Sequence, residues 1–198
     1  MKVLPTAYFA PIGYYVHMFK DPVFIEACEH YEKQTLRNRC VIATGQGPQV
    51  LSINVEKGNR LHTPITDIRL SSHANWMHQH LYSFATYYGN SPFYEYYIDE
   101  LKEIMLGIGY GGSLFEMNEK LRCKICEFIG FEPQVGYTSQ WMGKEALITD
   151  FTMVSPEPYY QVATYPDQKF LPDMSILDLL FNMGPESILV IRELAAKL

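Results

Sequence analysis

The sequence predicts an α/β fold: a mixed sheet with a strand-helix-strand opening, a hairpin and several flanking helices. Three patterns predict it. An apolar strand, a Pro/Gly loop, a short helix and a β-rich run follow one another before Cys28, which is the grammar of a βαβ crossover. Residues 39–55 alternate around a Gly/Pro turn, which reads as a hairpin. Residues 75–129 carry helical spacings broken by glycines. A length of 198 residues points to one domain, 1–198.

The elements follow in order. Met1 to Ala10 is apolar and extended, and Pro11-Ile12-Gly13 punctuates it. Tyr14 to Lys20 is a short helix with Tyr15, Val16 and Phe19 at helical spacing, closed by Asp21-Pro22. Val23 to Ala27 is a strand. After a polar connector, Arg39 to Ala43 pairs with Val50 to Val55. In that second arm Leu51, Ile53 and Val55 form an apolar face, and Val50, Ser52 and Asn54 lie opposite. Lys57-Gly58-Asn59-Arg60 is a turn. Ile65 to Leu70 alternates again, with Ile68 and Leu70 inward and Asp67 and Arg69 outward. A helix runs from about Asn75 to Tyr88, stopped by Gly89. Ser91-Pro92 starts the next, with Ser as N-cap and Pro in the first helical position. Gly107 to Gly112 is a flexible break. Ser113-Leu114-Phe115-Glu116 is a capping box, and the helix it starts stops at Gly130. Phe131 to Tyr137 and Tyr160 to Thr164 read as strands. Ser175 starts a short helix with Leu177, Leu180 and Phe181 on its apolar face, and the last helix spans Glu186 to Ala196.

Composition narrows the function classes. The chain is 47% hydrophobic and 19% charged, enough apolar material for a core rather than disorder. Its net charge of -6 argues against a generic nucleic-acid binder, so any anion site must be local. No run reaches the ~18 apolar residues of a membrane span, and the first residues lack a signal peptide's apolar region. A soluble cytoplasmic protein is expected.

The connector Glu29-His30-Tyr31-Glu32-Lys33-Gln34-Thr35-Leu36-Arg37-Asn38-Arg39 is the densest chemistry in the chain. It packs carboxylates, an imidazole, a phenol, amides and cations between two apolar runs. If it is extended, Glu29, Tyr31, Lys33, Thr35, Arg37 and Arg39 share one side. Such a face would hold a phosphate or carboxylate, because Arg offers a rigid donor fork and Lys a point charge. The competing reading is a solvated hairpin edge whose charges block aggregation.

Other motifs carry less. Gly107-Ile108-Gly109-Tyr110-Gly111-Gly112 precedes a helix but follows no strand and lacks GxGxxG spacing and a Walker lysine. His73, Trp76, His78 and His80 cluster without an HExxH pattern; one imidazole such as His80 would suit acid or base work, and a packing role suits it better. Cys123 and Cys126 form a CxxC on a helix with no second ligand pair, so buried free thiols are expected rather than zinc. Cys28 and Cys40 sit near cations that lower thiol pKa values, yet structural thiols are the simpler reading. Asp178 and Asn182 are four apart on the late helix and would face one site, or simply cap it.

The connector resembles the signature of the WbqC-like protein family. Pro5 to Tyr15 is similar to that family's first loop, and Ile65 to Ile68, Trp76 to His80 and Ser91 to Tyr97 are similar to further motifs. Pro172 to Pro185 is similar to its closing motif. Members occur among bacterial genes for surface polysaccharide, including O-antigen, and the resemblance implies transfer chemistry on an amino sugar. A weaker likeness joins the opening to nucleotidylyltransferase-like folds, although Ala10 to Tyr15 lacks their HxGH.

The expected function is a transferase in surface-polysaccharide biosynthesis acting on an anionic or nucleotide-linked sugar. Lys33, Arg37 and Arg39 would hold the anion. Tyr31, Gln34 and Asn38 would orient the acceptor, and Glu29 or His30 would be the acid/base. Asp178 and Asn182 would complete the pocket. The cofactor stays open and no metal is called for. A non-catalytic sugar- or nucleotide-binding module and a structural protein whose polar connector forms the dimer edge of a homo-oligomer are the alternatives.

Overall fold

The computed structural model describes residues 2–56, 62–152, 154–164 and 169–198. The chain runs β1 (Lys2–Pro5), α1 (Ile12–Lys20), β2 (Val23–Glu26), β3 (Arg39–Thr44), β4 (Gly47–Ser52), α2 (Trp76–Tyr88), α3 (Tyr94–Ile108), α4 (Leu114–Ile129), β5 (Val135–Tyr137), α5 (Ile176–Met183) and α6 (Ser187–Lys197). β1, β2 and β5 form a parallel sheet in the order β1-β2-β5, with Val3 opposite Phe24 and Phe24 opposite Gly136. β3 and β4 form an antiparallel hairpin, with Val41 opposite Val50. The α/β class, the crossover opening, the hairpin and the flanking helices are as the sequence predicts. The parallel and antiparallel pairings are divided between two sheets.

Burial explains the crossover. Val3 and Leu4 of β1 and Ile25 and Glu26 of β2, neighbours that point to opposite faces, are buried, as a parallel strand covered on both faces requires. α1 packs on α5 and α6. The caps read from sequence are present. The Ser113 hydroxyl accepts from the Glu116 N–H at 3.3 Å, and the Ser175 hydroxyl accepts from the Leu177 N–H at 3.3 Å. Gly130 ends α4 at φ 87, a conformation that favours glycine.

Several elements differ from expectation for local reasons. Ser91 does not cap α3; its hydroxyl donates to Asn182 Oδ1 at 3.2 Å, and Phe93 takes the N-cap position. Residues 65–67 form a 3-10 turn, and pairing is confined to isolated bridges of Arg69 with Ser113 and Leu70 with Val55. The facing still holds: Ile68 and Leu70 are buried, Asp67 and Arg69 exposed. The glycine break is pinned to that segment, because the Gly111 N–H donates to Leu70 O at 2.7 Å. β5 shrinks to three residues behind Pro133, which cannot donate to a ladder. Tyr160 to Thr164 is no strand. Val162–Thr164 is a 3-10 turn, and the Gln161 amide exchanges two hydrogen bonds with the Leu171 backbone, at 2.9 and 2.8 Å, instead of a ladder. The turn expected at Lys57 to Arg60 lies outside the described residues. The four cysteines are free; Cys40 and Cys126 are buried, whereas Cys28 and Cys123 are exposed, so burial covers only one half of the CxxC. No helix among the described residues is long and apolar enough to cross a membrane.

Gly184 joins α5 to α6 at φ 53, and a Cβ there would lie 2.5 Å from the Phe93 ring. Gly184→Ala is therefore expected to destabilise the chain by about 1–3 kcal/mol, through overpacking and a strained backbone. Chemical denaturation measures it, and an unchanged midpoint would mean that the ring yields freely.

Candidate functional site

The connector is not extended. It leaves β2 and lies across the carboxyl end of β1, where the Tyr8 N–H donates to Leu36 O at 2.9 Å. Its first residues pair with residues 63–65: Tyr31 N–H to Thr63 O at 2.9 Å, Ile65 N–H to Glu29 O at 2.9 Å, and a bridge between His30 and Pro64. The chain then reverses. Gln34 takes φ 62, the Thr35 hydroxyl donates to Glu32 O at 2.9 Å, and the Asn38 N–H donates to Thr35 O at 3.2 Å. The far end is clamped to α4 by Asn118 Nδ2 on Arg37 O at 2.9 Å, and to the end of the hairpin by Asn38 Nδ2 on Ile53 O at 3.1 Å.

This reversal sorts the polar residues into an inner and an outer set. Inside, Arg37 Nε donates to Glu29 Oε1 at 2.6 Å, and Arg37 Nη2 pairs with Glu29 Oε2. Arg37 Nη1 meets the Thr35 hydroxyl at 3.2 Å and Glu32 Oε2 at 3.8 Å. The two side chains are only 4% and 2% exposed, so a bidentate pair is buried beneath the turn. Burial pushes the Glu29 carboxyl up, and the Arg37 guanidinium opposes it. The strand-like shared face of Arg37 with Lys33 and Arg39 therefore does not form. Glu32, on the outside, pairs with Lys144.

The outer set faces a cleft of about 820 Å³. Tyr31, Lys33, Gln34, Asn38 and Arg39 line one wall; Ser52, Asn54, Glu56, Ser71 and His73 come from the hairpin end and the segment before α2. Neither Lys33 nor Arg39 has an ion pair among the described residues. Among the described residues, Arg39 Nε is buried without a hydrogen-bond partner, as is Asn38 Oδ1. Burial pushes the Tyr31 phenol up to about 12 against the pull of Arg39 and Arg37, so it faces the cleft as a donor. Glu56 puts one carboxylate on the same rim.

The opposite wall is braced from beneath. The His73 N–H donates to Ser71 Oγ at 3.1 Å, Asn54 Nδ2 donates to His73 O at 2.9 Å, and Trp76 Nε1 donates to Ser71 O at 2.8 Å. Ala74 and Asn75 follow at φ 61 and φ 47. A left-handed alanine is a costly conformation, and such strain gathers at sites where the surroundings over-determine geometry. Gln34 on the first wall is left-handed as well. His80 lies deeper, with Nδ1 2.9 Å from the Tyr8 hydroxyl, and burial lowers its pKa to about 4. It is the packing histidine the sequence suggests.

Five of the ten expected site residues thus meet at the cleft. Glu29 and Arg37 lie behind it as a pair. His30 is exposed and packs against His62 with ring centroids 5.2 Å apart and the rings tilted by 50°. Asp178 and Asn182 are not among the cleft residues; they anchor Tyr159, Gln161 and Val162. Asp178 Oδ2 accepts from the Tyr159 hydroxyl at 2.6 Å and Gln161 Nε2 at 2.7 Å, and Asn182 Oδ1 accepts from the Val162 N–H at 3.2 Å. Glu56, Ser71 and His73 escaped the sequence reading as cleft residues, although the polar face of Ser52 and Asn54 was a signal for that wall. No group of three or more His, Cys, Asp or Glu residues among the described residues is placed to hold a metal.

Compared with known proteins, residues 6–155 match the model of the WbqC-like protein family, about three quarters of the chain. The match contains the whole cleft and the Glu29–Arg37 pair. No curated protein and no solved structure matches.

Proposed function

The chain belongs to the WbqC-like protein family, and from that premise we propose that it is a transferase of surface-polysaccharide biosynthesis, taking an anionic or nucleotide-linked amino sugar into the Lys33/Arg39 cleft. One observation carries the ligand reading. Among the described residues, Arg39 presents a buried donor without a partner beside a Lys33 without an ion pair, in a cleft large enough for a small molecule. A desolvated donor is costly until an acceptor arrives, and phosphate or carboxylate oxygens are the best acceptors for a guanidinium. Tyr31, Gln34, Asn38 and Asn54 would orient hydroxyls. Because Glu29 is committed to Arg37, His73 or Glu56 takes over the proton-carrying role.

The test is a titration with inorganic phosphate, sugar phosphates and nucleotide sugars, read by calorimetry. Arg39→Ala is expected to weaken the best ligand about 10- to 100-fold, the worth of a charged hydrogen bond, and Lys33→Ala less, since its side chain is exposed. Unchanged affinity in a folded Arg39→Ala chain would end the proposal. A non-catalytic binding module is the second reading, favoured by the sequestration of Glu29 and the position of His30 outside the cleft. Binding without turnover would select it. Arg37 itself would not face a partner across a dimer edge on the connector, because that side chain is buried.

A further inference from the structure

Two thiols near the end of α4 take no part in the cleft. Cys123 is exposed and Cys126 buried, and both line a second hollow of about 640 Å³ with Arg122, Phe131 and Tyr137. The Arg122 guanidinium donates to Cys123 Sγ at 3.4 Å, and its positive charge opposes the burial that raises the Cys126 pKa. One cation and both sulfurs thus border the same hollow. Residues i and i+3 of a helix hold their Cβ atoms about 5–6 Å apart, against about 3.5–4.5 Å in a disulfide. The shortfall falls in the last helical turns, where the Cys126 carbonyl already accepts from Gly130 and Phe131 beyond the helix, at 3.0 and 3.1 Å. Helix ends yield more easily than helix middles.

We propose that Cys123 and Cys126 form a redox dithiol that closes to an intrahelical disulfide by exchange with a small disulfide such as oxidised glutathione. The Cys123 thiolate attacks one sulfur of glutathione disulfide and expels a glutathione thiolate, leaving a mixed disulfide on Cys123. Cys126 then gives up its proton and attacks Cys123 Sγ, expelling the second glutathione. Two thiols are oxidised and one disulfide is reduced. The order of attack follows from environment: Cys123 is exposed, whereas burial pushes the Cys126 thiol up to about 12, so it resolves rather than initiates. Such a bond is strained and hence easily reduced again. Arg122 also pairs with Glu119 at 2.9 Å, which accepts from the Thr6 hydroxyl at 3.0 Å and the Tyr137 hydroxyl at 3.1 Å. Moving the sulfurs therefore tugs on the residue just beyond β1.

The wild-type chain is incubated with oxidised glutathione, quenched with acid, unfolded, alkylated and mapped by mass spectrometry. Cys28 serves as an internal control, since it is exposed with no expected thiol partner. The expected map has glutathione on Cys28, an alkylated Cys40, and a 123–126 link lacking two hydrogens that dithiothreitol reverses. In Cys126→Ser, glutathione is expected to stay on Cys123. A lasting glutathione adduct on Cys123 in the wild-type chain, or alkylation of both thiols after exposure, overturns the proposal.

Discussion

Arg37→Ala is expected to destabilise the chain by about 3–5 kcal/mol, because it leaves Glu29 buried without its counter-ion. At this size that lowers the melting temperature by on the order of 10 °C. Arg37 is fully engaged: Nε and Nη2 on Glu29, Nη1 on Thr35 and Glu32. Truncation opens a cavity and strands a carboxylate that is 2% exposed. The Glu29→Leu/Arg37→Met double variant separates charge from shape, since exchanging a buried pair for apolar residues of similar volume is often neutral. It should recover most of the loss. If Arg37→Ala alone melts like the wild type, the pair is not what holds the turn. Ligand affinity in the double variant should stay near the wild-type value, because Lys33 and Arg39 keep their mounting.

The second large effect is a pH dependence centred on Asp178. Burial raises this carboxyl to about 6, although Tyr159, Gln161 and Tyr88 donate to it. The folded pKa lies above the unfolded one, so the fold prefers the protonated form. Asp178 therefore contributes stability that is complete below about pH 4 and is lost as pH rises through about 6. Two pKa units correspond to about 3 kcal/mol. Asp178→Asn removes this titration and adds a constant penalty, since an amide N–H would face the hydroxyl donors. The gap between wild type and variant should narrow by about 3 kcal/mol from pH 4 to pH 8, measured by urea denaturation at each pH. Parallel curves would show that Asp178 stays ionised throughout.

The fold was legible where local rules sufficed. β1, α1 and β2 follow from Pro11, Gly13 and Pro22 between apolar runs, and the hairpin from alternation around Gly45 to Pro48. The caps at Ser113 and Ser175 needed only their own neighbours. The cleft was half legible, and for a partly mistaken reason. Tyr31, Lys33 and Arg39 do share a side, but by the reversal at Gln34 and Thr35, not by strand alternation. A strand would have aimed Arg37 outward with them. Its pairing with Glu29 depends on where the turn falls, and residue types do not say that. Asp178 and Asn182 hold residues of the late irregular segment rather than lining the cleft, and their partners Tyr159 and Gln161 lie where the sequence shows no periodicity. The cleft's far wall depends on the left-handed Ala74, which no propensity predicts.

The placement of the cleft has a consequence for the order in which the molecule assembles. Its lining residues all fall between Tyr31 and His73, and two of its braces are short in sequence, Arg37 to Glu29 spanning 8 residues and Asn38 to Ile53 spanning 15, whereas the Asn118 clamp on Arg37 spans 81. The β2–β5 pairing instead closes over a long loop, Ala27 and Thr138 lying 111 positions apart. Loop closure is slow when the loop is long. The cationic wall should therefore acquire its shape early, with β5 docking onto β2 as the late event. Pulsed hydrogen exchange would show this as protection at the Tyr31 and Ile53 amides before the Thr138 amide.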